Sequence, residues 1–454
     1  MAGYQRSLFL FRRDLRLDDN RGLNAALVGS EEVLPAFILD PRQQAPHPYR
    51  SEPGLAFLFR ALAALDQALG EKSGRLHCYR GDPESLLASL VERLGIDALF
   101  VNRDYTPFSR DRDAGLARAC RSLGIGFHPF ADALLTEPEE IAKSDGSAYR
   151  VFTPFYRRAR QLHIDAPEAM PEGRWLSDAA AEELPRDPAL AERWPMTAAG
   201  AKAAEDQLAR LDELGDYDNQ RDLPAINGTS GLSPALKFGT CSVRRAYHRA
   251  CEALGADHSF VRQLYWRDFL VHVAWHWPHV FEGAFDRRFD ALEWNNDEAA
   301  FERWCEGRTG FPLVDAGMRQ LNRSGEMHNR LRMVTAAFLV KDLHIDWRRG
   351  EAYFARKLVD YDPCLNNGNW QWVASTGCDA QPWFRVFNPW RQQRRFDPQA
   401  AYIRRWVDEL AELEPAQIHG LEKGGAIEGY PAPMVDHREE AEETKARYRR
   451  AARG

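Results

Sequence analysis

The stretch Asp360-Tyr361-Asp362-Pro363-Cys364-Leu365-Asn366-Asn367-Gly368-Asn369-Trp370-Gln371-Trp372 brings two carboxylates, two adjacent amides and two indoles into one short segment. It is too polar for a core strand and too aromatic for a solvent loop, so it reads as a ligand-binding segment. On chemistry alone Asp360-x-Asp362 has two readings. Acidic residues near a helix start are stabilised by the free N–H groups and the dipole there. A paired Asp-x-Asp also suits a divalent metal held against a nucleotide diphosphate, as in glycosyltransferases. The amides and indoles that follow favour a flat heteroaromatic ligand, which takes neutral hydrogen bonds at its edge and π-surface at its face.

With 454 residues the chain is long for one core, and two domains or more are expected. Hydrophobic content of 44% and charged content of 28% are those of a soluble globular protein. There is no early apolar h-region and no apolar run near the length of a membrane span, so a cytoplasmic protein without a membrane partner is expected. Cys78, Cys120, Cys241, Cys251, Cys305, Cys364 and Cys378 are scattered, odd in number and never in a Cys-x-x-Cys pair. That pattern argues against a disulfide framework or a zinc site, and no metal is expected. A net charge of −7 argues against generic polyanion binding, so nucleic-acid contact would need a local basic face.

Along the chain, Ser7 to Phe11, Val33 to Leu39, Leu76 to Tyr79 and Ala98 to Asn102 read as buried strands, and Leu55 to Leu69 and Ser85 to Leu94 as helices. The second helix is introduced by a cap-type Asp82 and an N1-type Pro83. This alternation predicts an α/β N-terminal domain over residues 1–135 with a parallel, doubly wound sheet. No Gly-x-Gly-x-x-Gly follows the first strand, so the domain is not an obvious dinucleotide binder. Residues 136–199 loosen into Pro, Glu and Ala and read as a long connector. From 200 to 454 helical periodicity dominates, as in Phe269 to Trp277 and Val334 to Leu343, and an all-α domain is expected. All thirteen tryptophans lie at or beyond Trp175, which puts the chemistry in the second domain.

The run Asp360 to Trp372, with Met327-His328-Asn329-Arg330-Leu331-Arg332-Met333 upstream and Phe384-Arg385-Val386-Phe387-Asn388-Pro389 downstream, resembles the flavin-binding signature of the DNA photolyase and cryptochrome family. Further matches run from Phe11-Arg12-Arg13-Asp14-Leu15-Arg16-Leu17 to Tyr430-Pro431-Ala432-Pro433-Met434-Val435-Asp436-His437 and cover nearly the whole chain. The resemblance is to class I cyclobutane pyrimidine dimer photolyases. It implies FAD as cofactor, an antenna function for the N-terminal domain, damaged DNA as partner and a monomer. The implied activity is light-dependent repair by an electron from excited reduced FAD. The rival within the resemblance is a cryptochrome-type blue-light photoreceptor, or a photolyase for another lesion such as (6-4) photoproducts.

The resemblance also assigns residues. Gly228-Thr229-Ser230-Gly231-Leu232-Ser233-Pro234 is similar to a loop that holds the FAD diphosphate, and Tyr217, Trp266, Arg267, Phe354, Asn329 and Asp362 fall at further cofactor positions. Arg332 and Asp360 match an ion pair beside the flavin ring, where an Arg balances negative charge and an Asp holds the Arg. Asn366 matches the residue facing flavin N5, and its amide favours a fully reduced working state. Trp370, Trp347 and Trp294 match the three tryptophans that pass electrons to photoexcited flavin. On the substrate side, Trp266, Trp372 and Met333 match the wall of a pocket for a flipped lesion. Arg221, Arg330, Arg267 and Arg385 are placed on or near phosphates, with Arg391, Arg394 and Arg395 as a rim. His47 and Asn102 match antenna positions, for a methenyltetrahydrofolate or an 8-hydroxy-deazaflavin.

Some residues depart from the pattern. Gln263 stands where dimer photolyases usually carry a Glu, and it points toward the rival reading. Thr106 replaces a Glu among the folate contacts, Gly231 replaces a basic residue, and Glu326 stands where an aromatic is common.

Overall fold

The computed structural model describes residues 3–195 and 199–453. Residues 196–198 of the expected connector lie outside the described residues, as do residues 1–2 and 454. Packing divides the chain into two compact units, Met1–Gly215 with Ser230–His276, and Asp216–Thr229 with Trp277–Gly454. This partition differs from the one drawn by composition, because Ser230–His276 packs with the first unit.

In the first unit, β1 (Tyr4–Phe11), α1 (Arg21–Gly29), β2 (Ser30–Leu39), α2 (Glu52–Gly70), β3 (His77–Arg80), α3 (Pro83–Leu94), β4 (Ala98–Asn102), α4 (Pro107–Leu123) and β5 (Gly126–Phe130) follow in order. Among the described residues these strands form one parallel sheet in the order β3-β2-β1-β4-β5. Central β1 is buried from Ser7 to Phe11, and Leu8 stands in register with Leu34 on one side and Leu99 on the other. Burial on both faces explains why the central strands β1, β2 and β4 read as apolar runs. Ser51, Asp82 and Thr106 each accept a hydrogen bond from the backbone N–H three residues on, and a proline sits in each first turn. Strand β5 was not expected. It is a half-exposed edge carrying Pro129, a residue tolerated at an edge because no ladder partner needs its N–H.

The first unit also contains α5 (Ser259–His276), which begins well before the Phe269 to Trp277 stretch whose periodicity announces it. The second unit is helical. Its chief elements here are α6 (Pro312–Ser324), α7 (Asn329–Ala337), α8 (Trp347–Lys357), α9 (Pro363–Ala374) and α10 (His437–Ala451). Trp304, Phe311, Leu331, Phe338, Trp347, Phe354 and Trp370 share one buried core. The helix expected over Val334 to Leu343 is α-helical only to Ala337. It widens into a π-helical turn over Phe338–Asp342, where Leu343 donates to the Phe338 carbonyl at 3.1 Å. The turn carries Lys341 into the interior, with Nζ 3.7 Å from the Tyr448 ring centre and donating to Ser375 Oγ at 3.1 Å.

Candidate functional site

In the second unit, the opening stretch of the signature becomes the turn into α9. Asp362 is the cap, its Oδ1 accepting from Cys364 N at 2.9 Å and Leu365 N at 3.1 Å. Asp360 accepts from Arg332 Nη2 at 2.9 Å, and Arg332 Nε donates to the Met327 carbonyl at 2.8 Å. The Asp360 side chain keeps 4% of its surface and that of Arg332 keeps 30%, so a buried carboxylate fixes a guanidinium with an open flank. That arrangement suits an anion alongside the pair.

One turn into α9, Asn366 Nδ2 donates to the Glu351 carbonyl of α8 at 3.1 Å. Its neighbour Asn367 donates to Glu351 Oε1 at 3.1 Å and to the Val280 carbonyl at 3.0 Å. Gln371 continues the chain, donating to Asn367 Oδ1 at 3.1 Å and the Val280 carbonyl at 2.9 Å, while its Oε1 accepts from Phe285 N at 2.8 Å. Burial raises the Glu351 carboxyl to about 7, against the lowering effect of the Asn367 hydrogen bond. The result is an amide-rich, buried network that fixes Asn366 while leaving it a second N–H and a carbonyl for a ligand edge.

Trp370 and Trp347 are both buried, and Trp294 is half-buried against the same core. The Trp370 ring stands edge-on to Phe354 at 4.9 Å and to Trp304 at 6.3 Å. A Cβ on Gly350 would lie 2.2 Å from Trp370 Cη2, so the indole rests directly on the backbone of α8, the helix that begins with Trp347. The Arg348 guanidinium lies 4.7 Å over the Trp347 ring and pairs with Asp290 and Asp346.

Residues 7–172 match the family described as DNA photolyase, and residues 260–450 match the FAD binding domain of DNA photolyase. A deoxyribodipyrimidine photo-lyase from Synechococcus is 39% identical, over 97% of this chain and 96% of its own. The chain belongs to the DNA photolyase family. Among solved structures, an archaeal photolyase from Sulfolobus tokodaii with two FAD molecules has a TM-score of 0.89 at 43% identity, covering 98% of this chain and 100% of its own. A bacterial class III photolyase from Agrobacterium tumefaciens has a TM-score of 0.92 at 36% identity, covering 100% and 99%.

In the second unit, Tyr217 is buried at the start of a short helix, with the Arg221 guanidinium 5.6 Å from its ring, and burial raises its hydroxyl. Thr229 is half-buried after Gly228, where an added Cβ would meet the Gln220 backbone at 2.8 Å. Asn329 is exposed at the start of α7, its Nδ2 3.8 Å from the sulfur of half-buried Met333. Phe354 is a core residue at 2% exposure, packed behind Trp370. Trp372 is half-buried and Arg385 exposed. Arg391, Arg394 and Arg395 are exposed on one short helix, Arg394 being paired with Glu422. Glu326 is exposed on the turn that Gly325 closes at φ +74°.

In the first unit, Ser230 Oγ accepts from Leu232 N at 3.3 Å, Leu232 is buried, and Ser233 opens a short helix with Pro234 in its first turn. Gln263, Trp266 and Arg267 share one face of α5 at helical spacing. Gln263 Nε2 donates to the Ser259 carbonyl at 3.4 Å. Phe152 covers one face of Trp266, with centroids 3.7 Å apart and planes at 10°. Arg267 donates to the Ala133 carbonyl at 2.6 Å. Beside it, burial raises Asp268 to about 7 while Oδ2 accepts from Leu135 N and Thr136 N, both at 2.9 Å.

The antenna positions are less free than the sequence implies. Asn102 donates to Asp14 Oδ2 at 2.5 Å and Asn20 Oδ1 at 2.8 Å, and accepts from Gly22 N at 3.0 Å, so its amide is committed within the unit. Thr106 caps α4. His47 is exposed, its Nδ1 accepting from Tyr49 N at 3.1 Å. Sequence reasoning missed Glu351, Gly350, Asn367 and Gln371 as supports of the site. The i, i+4 spacing of Asn367 and Gln371, amides on one helix face between indoles, was the available signal.

Proposed function

We propose that this chain is a light-driven deoxyribodipyrimidine photolyase acting on cyclobutane pyrimidine dimers, of the class I type and with FAD as its cofactor. The observation that carries the reading is the α7–α9 constellation, in which Asp360 fixes an open-flanked Arg332 at 2.9 Å and the Glu351 carbonyl fixes Asn366 at 3.1 Å. A guanidinium for an anion, neutral amides for a ring edge and apolar indoles behind them form a donor set that fits a reduced flavin.

Arg332, Asp360, Asp362, Asn366, Asn329, Phe354, Tyr217 and Thr229 would hold the cofactor, and Ser230, Leu232, Ser233, Trp266 and Arg267 are proposed as cofactor residues with them. When bound, FAD supplies light-driven one-electron chemistry, and the protein supplies geometry, electrostatics and exclusion of water. Trp294, Trp347 and Trp370 resupply electrons. Gln263, Trp266, Met333 and Trp372 receive the lesion, and Arg221, Arg330 and Arg385 hold its backbone. Residues 1–135 form the antenna domain, 136–199 the connector and 200–454 the FAD- and DNA-binding domain, in a cytoplasmic monomer. Among the described residues no helix is long and apolar enough to cross a membrane.

The second reading is a photoreceptor or an enzyme for another lesion, and Gln263 favours it, because an amide cannot donate a proton as a carboxylic acid can. One experiment separates the two. The FAD-loaded protein is reduced anaerobically, mixed with oligothymidine carrying cyclobutane dimers and illuminated with blue light, while thymine absorbance is followed. Recovery that requires both light and flavin is expected. No recovery, with flavin reduced and DNA bound, would move the assignment to the second reading.

A further inference from the structure

Arg330, one of the arginines placed on the DNA face, is held from three sides. Its backbone N–H donates to His328 Nδ1 at 3.1 Å, its guanidinium lies 4.2 Å from the Phe396 ring centre, and Nη2 donates to Asp222 Oδ2 at 2.6 Å. The Arg330 side chain keeps 15% of its surface and that of Asp222 keeps 32%, so the pair sits at a rim, neither buried nor freely solvated. Burial holds His328 down to about 4 despite Asp222, which leaves the imidazole neutral and Arg330 as the near cation on Asp222. The Nε of Arg330 is buried and donates to no neighbour among the described residues.

We propose that Asp222 is a specificity-determining counter-charge, which orients Arg330 and cancels its charge toward ordinary duplex phosphates. This rests on the DNA-repair reading of the same face. The physical reasoning is competitive. A planar guanidinium stacked on a ring presents its N–H fork in a fixed plane, and a carboxylate at 2.6 Å already occupies one edge of that fork. An undamaged backbone passing at a variable distance must displace the carboxylate and gains little. A backbone pinched around a flipped lesion presents its phosphate in one place, where it can take the remaining donors. In a chain of net charge −7, local cancellation of this kind keeps the unmodified genome from saturating the face.

The size of the effect follows from counterion release. Each phosphate neutralised adds about 0.9 to the slope of log K against log salt, so one released arginine is worth roughly eightfold in affinity at about 0.1 M salt. The test uses FAD-loaded protein and fluorescence anisotropy on duplexes with and without one cyclobutane dimer, across a salt series. Asp222→Asn is expected to bind undamaged duplex roughly eightfold tighter, with a slope steeper by about 0.9 and a lower ratio of damaged to undamaged affinity. Asp222→Glu, which keeps the charge, is expected to keep the parent slope. An unchanged slope for Asp222→Asn, or weaker binding to undamaged duplex, overturns the proposal. Arg330→Met combined with Asp222→Asn is expected to return the undamaged-duplex slope to the parent value and to lower the slope on the damaged duplex by about 0.9. If it does not, Arg330 is not on the DNA face and the proposal falls with it. The light-driven repair assay is scored separately, so a protein that shows the slope changes without repair keeps Asp222's role and loses only the reaction.

Discussion

Replacing Gly350 by Ala tests whether the Trp370 indole is held where it is by the absence of a side chain. The added Cβ would stand 2.2 Å from Trp370 Cη2, 2.6 Å from Cζ3 and 2.5 Å from Leu339 Cδ2. Carbon pairs rest near 3.5–4.0 Å, so the indole must move by roughly 1 Å or more for the methyl to fit. Trp370 cannot retreat easily, because Phe354 stands at 4.9 Å and Trp304 at 6.3 Å on other sides, all in one buried core. Overpacking of this kind costs about 1–3 kcal/mol. Gly350 is also a helix-interior glycine, and its replacement by Ala returns about 1 kcal/mol through helix propensity. A net loss of up to about 2 kcal/mol is expected, because the clash offsets the gain in propensity. The assay pairs a denaturant midpoint with two light experiments. Photoreduction of the bound flavin is expected to slow, since the displaced indole is the first in the proposed chain. Repair by protein reduced chemically beforehand is expected to continue. A Gly350→Ala protein that is more stable than the parent and photoreduces at the parent rate would refute the reasoning.

Two further outcomes follow from the same helices. Asp360→Asn removes the carboxylate that fixes Arg332, and because the Arg332 side chain keeps 30% of its surface the loss is expected to be modest, about 1–2 kcal/mol, below that of a fully buried pair. Flavin content after gel filtration is expected to fall with it, and full retention of flavin would show that Arg332 does not depend on Asp360. Glu351 has a carboxyl at 4.5 in the unfolded chain and about 7 in the fold, chiefly through burial. A raised carboxyl contributes stability that is complete below the unfolded value and is lost as pH rises through the folded one. The contribution, ~3 kcal/mol at most, is therefore expected to disappear between about pH 4.5 and 7. Glu351→Gln keeps an acceptor for Asn367 and is expected to flatten that part of the denaturation-midpoint profile, gaining on the parent above pH 7. A parallel profile would place the pH dependence elsewhere.

How much of this could be read beforehand depends on how local each cause is. Strands β1, β2 and β4 were legible because burial on both faces writes an apolar run. Strand β5 was not, since Gly126-Phe127-His128-Pro129-Phe130 is an edge whose half-exposed residues need no such run. Helix α4 was not expected either, because only Ser109, Gly115, Leu116 and Cys120 of its seventeen residues are buried and the apolar stripe is correspondingly thin. In the site, the motif pointed to Arg332, Asp360 and Asn366. It could not point to Gly350, whose meaning lies in a ring twenty positions away, nor to the commitment of Asn102 to Asp14, Asn20 and Gly22.

The two carboxylates of the opening Asp-x-Asp take different partners within the chain. Asp362 Oδ1 accepts the two N–H groups at the start of α9, which is the helix-start role, and Asp360 Oδ2 accepts from Arg332 in an ion pair. A carboxylate pair poised for one cation would turn both groups to a common point. Here Asp362 is engaged by the helix start, and the cation paired with Asp360 is supplied by the chain as Arg332. The division suits the heteroaromatic reading, since a capped helix start fixes Asn366 one turn later and the ion pair fixes the Arg332 guanidinium. Neutral amides on α9 and one paired guanidinium on α7 are the donor set that the proposed flavin would meet.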